Sequence, residues 1–105
     1  MAMTQITLSE ATDQAIERLP FLRRRVAKLR LRNPRVRKAF YAELTLKMYD
    51  SPEVAGMISV SALASESFNE DTPIGIDLDN LERFLQIIIE YLPTILDLIM
   101  ALFAG

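Results

Sequence analysis

The stretch RRRVAKLRLRNPRVRK, residues 23–38, holds the side chains of this sequence best suited to chemistry. Arg23, Arg24, Arg25, Lys28, Arg30, Arg32, Arg35, Arg37 and Lys38 follow one another with no acid between them. A guanidinium is planar and always charged, and its fork matches two oxygens of a phosphate or a carboxylate. The chemistry on offer is recognition of anions. Three partners fit it. The acidic segment 66–105, on the same chain or on another copy, could lie against it as a solvated ion-pair surface, in which exposed pairs contribute only about 0–1 kcal/mol each. A phosphate backbone could bind it, with an affinity that falls steeply as salt rises. Anionic lipid headgroups could bind it, with Leu22, Val26 and Leu29 dipping below the charges.

Groups that make or break bonds are scarce. The 105 residues contain no cysteine and no histidine. That excludes disulfides, thiolate metal sites and thiol nucleophiles, and it removes the usual general base and the usual transition-metal ligand. The glycines at 56, 75 and 105 are isolated, so no Gly-rich phosphate loop exists. DLDN at 77–80 fails the calcium-loop pattern, because Leu81 stands where an oxygen ligand is needed and Glu82 where glycine is needed. Glu70 and Asp71 fall in a polar stretch with nothing to raise a carboxyl pKa. Glu90 and Asp97, two turns apart on an apolar segment, are the acids expected to be partly desolvated, and they are candidates to meet the arginines of the basic stretch. No catalytic residue, cofactor, metal or small-molecule substrate is expected.

The charge is sharply divided along the chain. Residues 1–17 carry -3, residues 18–38 carry +10, residues 39–65 carry -2 and residues 66–105 carry -7, within a net of -2. Such asymmetry concerns association and solubility rather than fold.

The elements that must present these charges are read from periodicity. Thr7 with Glu10 fits a capping box, and Leu8, Ala11, Ala15, Ile16 and Leu19 share one face of a first helix ending near Pro20. Residues 21–32 read as a second helix, with the narrow stripe Leu22, Val26 and Leu29. Asn33-Pro34 is a break and a restart, with Asn33 as N-cap. A third helix over 35–49 has two apolar sides, Val36/Phe40/Leu44/Met48 and Ala39/Ala42/Leu46/Tyr49, which suggests a central position. Ser51-Pro52 starts another helix. Residues 54–64 suit a helix or a short strand, and helix is preferred because no partner strand is evident. Residues 65–76 read as a loop.

The tail is the second informative feature. Asp79 with Glu82 resembles a capping box. Over 81–103, Glu82, Arg83, Gln86, Glu90, Thr94 and Asp97 fall within about 120° of arc, and the rest is apolar. The phase survives Pro93, so a Pro-kinked but continuous helix is expected. Its length, about 34 Å over 23 residues, suffices for a bilayer, although Glu90 and Asp97 argue against a simple span. Three covers would serve: the chain's own core, a sister copy, or lipid. Phe84, Ile88, Leu92, Ile95, Ile99 and Leu102 are the positions expected to carry self-association.

The expectation is a single all-α domain over residues 1–105, a small bundle of four or five helices. Residues 1–64 form its helical region, with the basic segment at 18–38. The residues 65–76 form the loop, and 77–105 the apolar helix. A non-enzymatic assembly or scaffold protein fits best, a homo-oligomer that contacts an anionic partner, nucleic acid foremost, as in a viral or other large particle. The alternative is a membrane-associated protein that uses the last helix and the basic patch together. The first residues show no basic, apolar leader, so a cytoplasmic location is expected.

Overall fold

A computed structural model describes residues 3–104. In chain order it contains β1 (Met3–Ile6), α1 (Leu8–Glu17), α2 (Phe21–Leu31), α3 (Pro34–Tyr49), the one-turn α4 (Pro52–Ala55), a 3-10 segment (Val60–Ala64), β2 (Ile74–Asp77) and α5 (Leu78–Ala104). The chain is a mostly helical bundle, as its periodicity predicts, with one small sheet added.

The helix starts are set by local chemistry. Thr7 Oγ1 accepts from the Glu10 amide at 3.0 Å, and the Glu10 carboxylate accepts from the Thr7 amide at 3.2 Å. This reciprocal pairing satisfies two amides that have no partner inside the helix. Asn33 caps α3 through the Arg35 amide, and Ser51 caps α4 through the Val54 amide. In both cases a proline occupies the first helical turn, where its missing N–H costs nothing. The expected box of Asp79 and Glu82 does not form. Asp77 Oδ1 accepts from the Asp79 amide at 3.0 Å instead, which starts α5 two residues earlier, at Leu78. Glu82 is thereby free to pair with Arg18 at the end of α1.

β1 and β2 pair antiparallel, with Met3 opposite Asp77 and Ile6 opposite Ile74. Sequence reading assigns no element to residues 3–6 and counts 74–76 as loop. Both strands are only four residues long, and their pairing joins the segment before α1 to the segment before α5. Residues 54–64 form no strand. After α4 the backbone turns and closes one 3-10 turn.

The core lies where α5 packs against α1 and α3. Leu8, Ala11, Ala15 and Ile16 enter from α1, and Phe40, Leu44 and Met48 from α3. Phe84, Leu85, Ile88, Ile95 and Ile99 enter from α5. All six residues assigned to the polar arc of α5 lie exposed, and so does Pro93. Because Pro93 has no N–H, the carbonyl of Ile89 lacks its helical donor on that outer side. At about 1.5 Å per residue α5 is roughly 40 Å long, and only the 44 Å dimension of the molecule accommodates it. α3 also contacts α2, α4 and the 3-10 segment, as expected of a central helix. Its second apolar side is less covered than its pattern suggests, since Ala42, Leu46 and Tyr49 are exposed.

Two buried hydroxyls break the general rule that interior polar groups are paired. Thr12 Oγ1 and Tyr41 Oη have no hydrogen-bond partner among the described residues. Burial pushes the Tyr41 phenol above its usual pKa, against smaller opposing effects of Thr12 and Arg37. An unpartnered buried hydroxyl costs about 1–3 kcal/mol. Tyr41→Phe should therefore leave stability unchanged or raise it by up to about 1 kcal/mol. Urea denaturation checks this, and a loss larger than that would show that the phenol is bonded.

Exposed ion pairs fasten the helices to one another. Arg18 holds Glu82, Lys28 holds Glu17 at 2.6 Å, and Arg83 holds Glu53 through a bidentate pair with 2.8 Å on its second arm. Bonds from Lys28, Arg83 and Arg18 keep the carboxyls of Glu17, Glu53 and Glu82 below the ordinary value of 4.5. A carboxyl with a lowered pKa in the folded chain adds stability that is fully present above its unfolded pKa and is lost as pH falls through its folded value. With no histidine to titrate between about pH 5 and 8, the thermal midpoint should stay flat down to about 4.5 and drop below it. A melting series by circular dichroism tests this, and a step near neutral pH would contradict it.

Candidate anionic-partner surface

α2 is held to the body by few side chains. Only Ala27 and Leu31 are buried, one turn apart, against α1 and α3. At about 100° per residue, Leu22, Val26 and Leu29 fall on the opposite side. They face solvent at 74%, 45% and 57% exposure. Arg25 and Arg32 flank this ridge on one side, and Arg23 and Arg30 on the other. Phe21 stands exposed at the head of the helix, with the guanidinium groups of Arg24 and Arg25 over its ring at 5.7 and 5.8 Å.

The nine basic residues singled out by sequence divide into two groups. Three have internal partners. Lys28 meets Glu17, Arg30 meets Asp97 at 3.4 Å, and Arg37 meets Glu70 at 3.1 Å. Arg23, Arg24, Arg25, Arg32, Arg35 and Lys38 have no carboxylate partner among the described residues, and of these only Arg24 is partly covered. Arg35 instead stacks on Phe103 at 5.3 Å. The acidic tail thus neutralises part of the basic segment and leaves the larger part open.

Arg37 belongs to the architecture. Its Nε donates to Glu70, its Nη2 donates to Ser9 Oγ at 3.2 Å, and its guanidinium lies 5.2 Å above the ring of Tyr41. The Glu70 carbonyl also accepts from the Ser9 amide at 3.0 Å. The loop, α1 and α3 are thereby joined at one point. Sequence alone offers no sign of this, because Glu70 lies in a polar stretch indistinguishable from ordinary loop.

Burial divides the six positions expected to carry self-association. Phe84, Ile88, Leu92, Ile95 and Ile99 are enclosed by the chain's own α1 and α3. Leu102 alone of the six is exposed, at 69%. It lies about five turns beyond Phe84 on the same side of α5, so the body ends before the helix does. Leu98 and Phe103 are exposed beside it. Glu90 and Asp97 are also exposed rather than desolvated, and Glu90 pairs with Arg83 of its own helix instead of the basic stretch. α5 is long and apolar enough to cross a membrane by length and composition, and its apolar face is the centre of this core.

Between α2 and α5 runs an open groove of about 270 Å³. Leu22 and Val26 form one wall, and Ile89, Leu92, Pro93 and Leu96 the other, with Arg23, Arg30 and Asp97 among its lining. A second, wider recess of about 750 Å³ lies along α3 under the loop, between Leu46, Lys38 and Phe68. No cluster of acids that could hold a metal ion occurs among the described residues. Protein families, curated proteins and solved structures yield no match to this chain. The geometry is therefore the whole basis for a functional reading.

Proposed function

We propose that this is a non-enzymatic assembly protein that docks an anionic partner through the outer face of α2 and the first turn of α3. The observation that carries the reading is the set of six basic side chains without a carboxylate partner among the described residues, gathered within sixteen residues of a chain whose net charge is negative. Like charges crowded on α2 and the start of α3 repel one another, and an external polyanion relieves that repulsion. Copies of the chain meet through the end of α5, where Leu102 stands beyond the body and Leu98 is exposed one turn before it.

The test is a titration of the full chain against a labelled DNA duplex and against linear polyphosphate across a salt series. Each phosphate neutralised contributes about -0.9 to the log–log slope on duplex DNA. A slope of several units in magnitude is expected. Absent binding to duplex, polyphosphate and anionic vesicles alike, or binding indifferent to salt, overturns the reading. Light scattering on Leu98→Gln/Leu102→Gln tests the assembly half, with loss of the oligomer expected; unchanged mass, or a monomeric parent, overturns it.

A further inference from the structure

Resting on that anionic reading, we propose a more specific partner: the surface of a lipid bilayer containing anionic headgroups, on which α2 lies flat. The observation is the arrangement of α2 rather than its charge alone. Leu22, Val26 and Leu29 form a ridge within about 60° of arc, nearly opposite the buried Ala27 and Leu31. The ridge therefore points away from the body. Arg25 and Arg32 border it on one side, Arg23 and Arg30 on the other. On the Arg23 side, the apolar surface continues into the groove floored by Ile89, Leu92, Pro93 and Leu96.

A helix that lies in a membrane interface needs this order of groups. Its aliphatic side chains enter the acyl boundary while guanidinium groups on both flanks reach phosphates a few ångströms above. Anionic lipid adds electrostatic attraction for each arginine near the surface. A nucleic-acid backbone offers phosphates but no apolar layer. It would leave Leu22 and Leu29, each more than half exposed, in water. Stacking on bases needs a free aromatic face, and Phe21, the aromatic on this helix, already carries Arg24 and Arg25. The acid that borders the groove, Asp97, faces Arg30 and does not stand alone against a negative surface. The ridge stays exposed in the free chain because the two side chains that α2 buries, Ala27 and Leu31, lie on its far side.

The experiment is co-sedimentation of the full chain with phosphatidylcholine vesicles, with and without a third of phosphatidylserine. Binding is expected only to the anionic vesicles and is expected to weaken with salt. Leu22→Gln/Val26→Gln/Leu29→Gln, whose exposed sites tolerate a good helix former, should lower vesicle partitioning by about a hundredfold. Its affinity for the DNA duplex should stay within about twofold of the parent, because the arginines are intact. Equal vesicle partitioning by the parent and the triple variant would refute the inference. So would DNA binding with no vesicle binding, which leaves the broader anionic reading standing. Binding to neither vesicles, DNA nor polyphosphate would remove both.

Discussion

Replacing Phe84 with alanine should cost about 3–5 kcal/mol of stability, while Leu102→Ala, on the same side of the same helix, should cost less than about 0.5 kcal/mol. Phe84 is fully buried among α1, α3 and α5 side chains, and Leu102 is 69% exposed. Removing the ring takes away its transfer free energy and leaves a cavity that the surrounding helices close only in part. A domain of this size holds about 5–15 kcal/mol in total, so the Phe84 variant should be close to unfolded at body temperature. Urea denaturation of both variants measures the contrast. Comparable losses would mean that α5 is covered by another copy along its whole length, and the division between core and overhang would be wrong.

The second large effect concerns binding. Arg23→Gln/Arg24→Gln/Arg25→Gln/Arg32→Gln should lower affinity for a DNA duplex by a hundredfold to a thousandfold, on the order of one unit of salt slope lost per arginine. All four lack a carboxylate partner among the described residues. Their loss should move the urea midpoint little, since exposed sites of this kind are usually worth within about 0.5 kcal/mol each. Arg37→Gln should behave in the opposite way. It removes the bonds to Glu70 and Ser9 and leaves a half-covered carboxylate beside Tyr41, at a cost of about 1.5–3 kcal/mol. Duplex affinity should then fall by no more than a few fold. If Arg37→Gln weakens binding as much as the fourfold variant, the partition between structural and free arginines fails.

Much of the architecture follows from short-range signals. Thr7 with Glu10, Asn33-Pro34 and Ser51-Pro52 each set a helix start within four residues of sequence, and each forms as its pattern predicts. The apolar phase of the tail is carried through Pro93 because that residue lands on the outer side, where a missing N–H disturbs no packing. What sequence could not show depends on contacts distant along the chain. Met3–Ile6 becomes a strand only because Ile74–Asp77 arrives beside it. Arg37 looks like its basic neighbours until Glu70 is placed next to it.

Helical phase also says which residues share a side, but not which side is covered. Leu22, Val26 and Leu29 form the more obvious stripe of α2, yet the helix docks through Ala27 and Leu31. Small Ala27 lets α2 approach its neighbours closely, and that sets the larger aliphatics facing out. Leu102 shares its phase with Phe84 and differs in fate because the body stops short of it. Glu90 and Asp97 sit in an apolar sequence but on its polar arc, so neither is desolvated.

The central claim is that the outer face of α2 is open in the free chain and is covered when the anionic partner arrives. The chain has no tryptophan, so Leu29→Trp places a single reporter on the ridge. Its emission should be that of a water-exposed indole, freely quenched by acrylamide, and should shift to the blue with loss of quenching when anionic vesicles are added. An indole already blue-shifted and protected in the free monomer, or one unchanged by any anionic partner, would contradict the account.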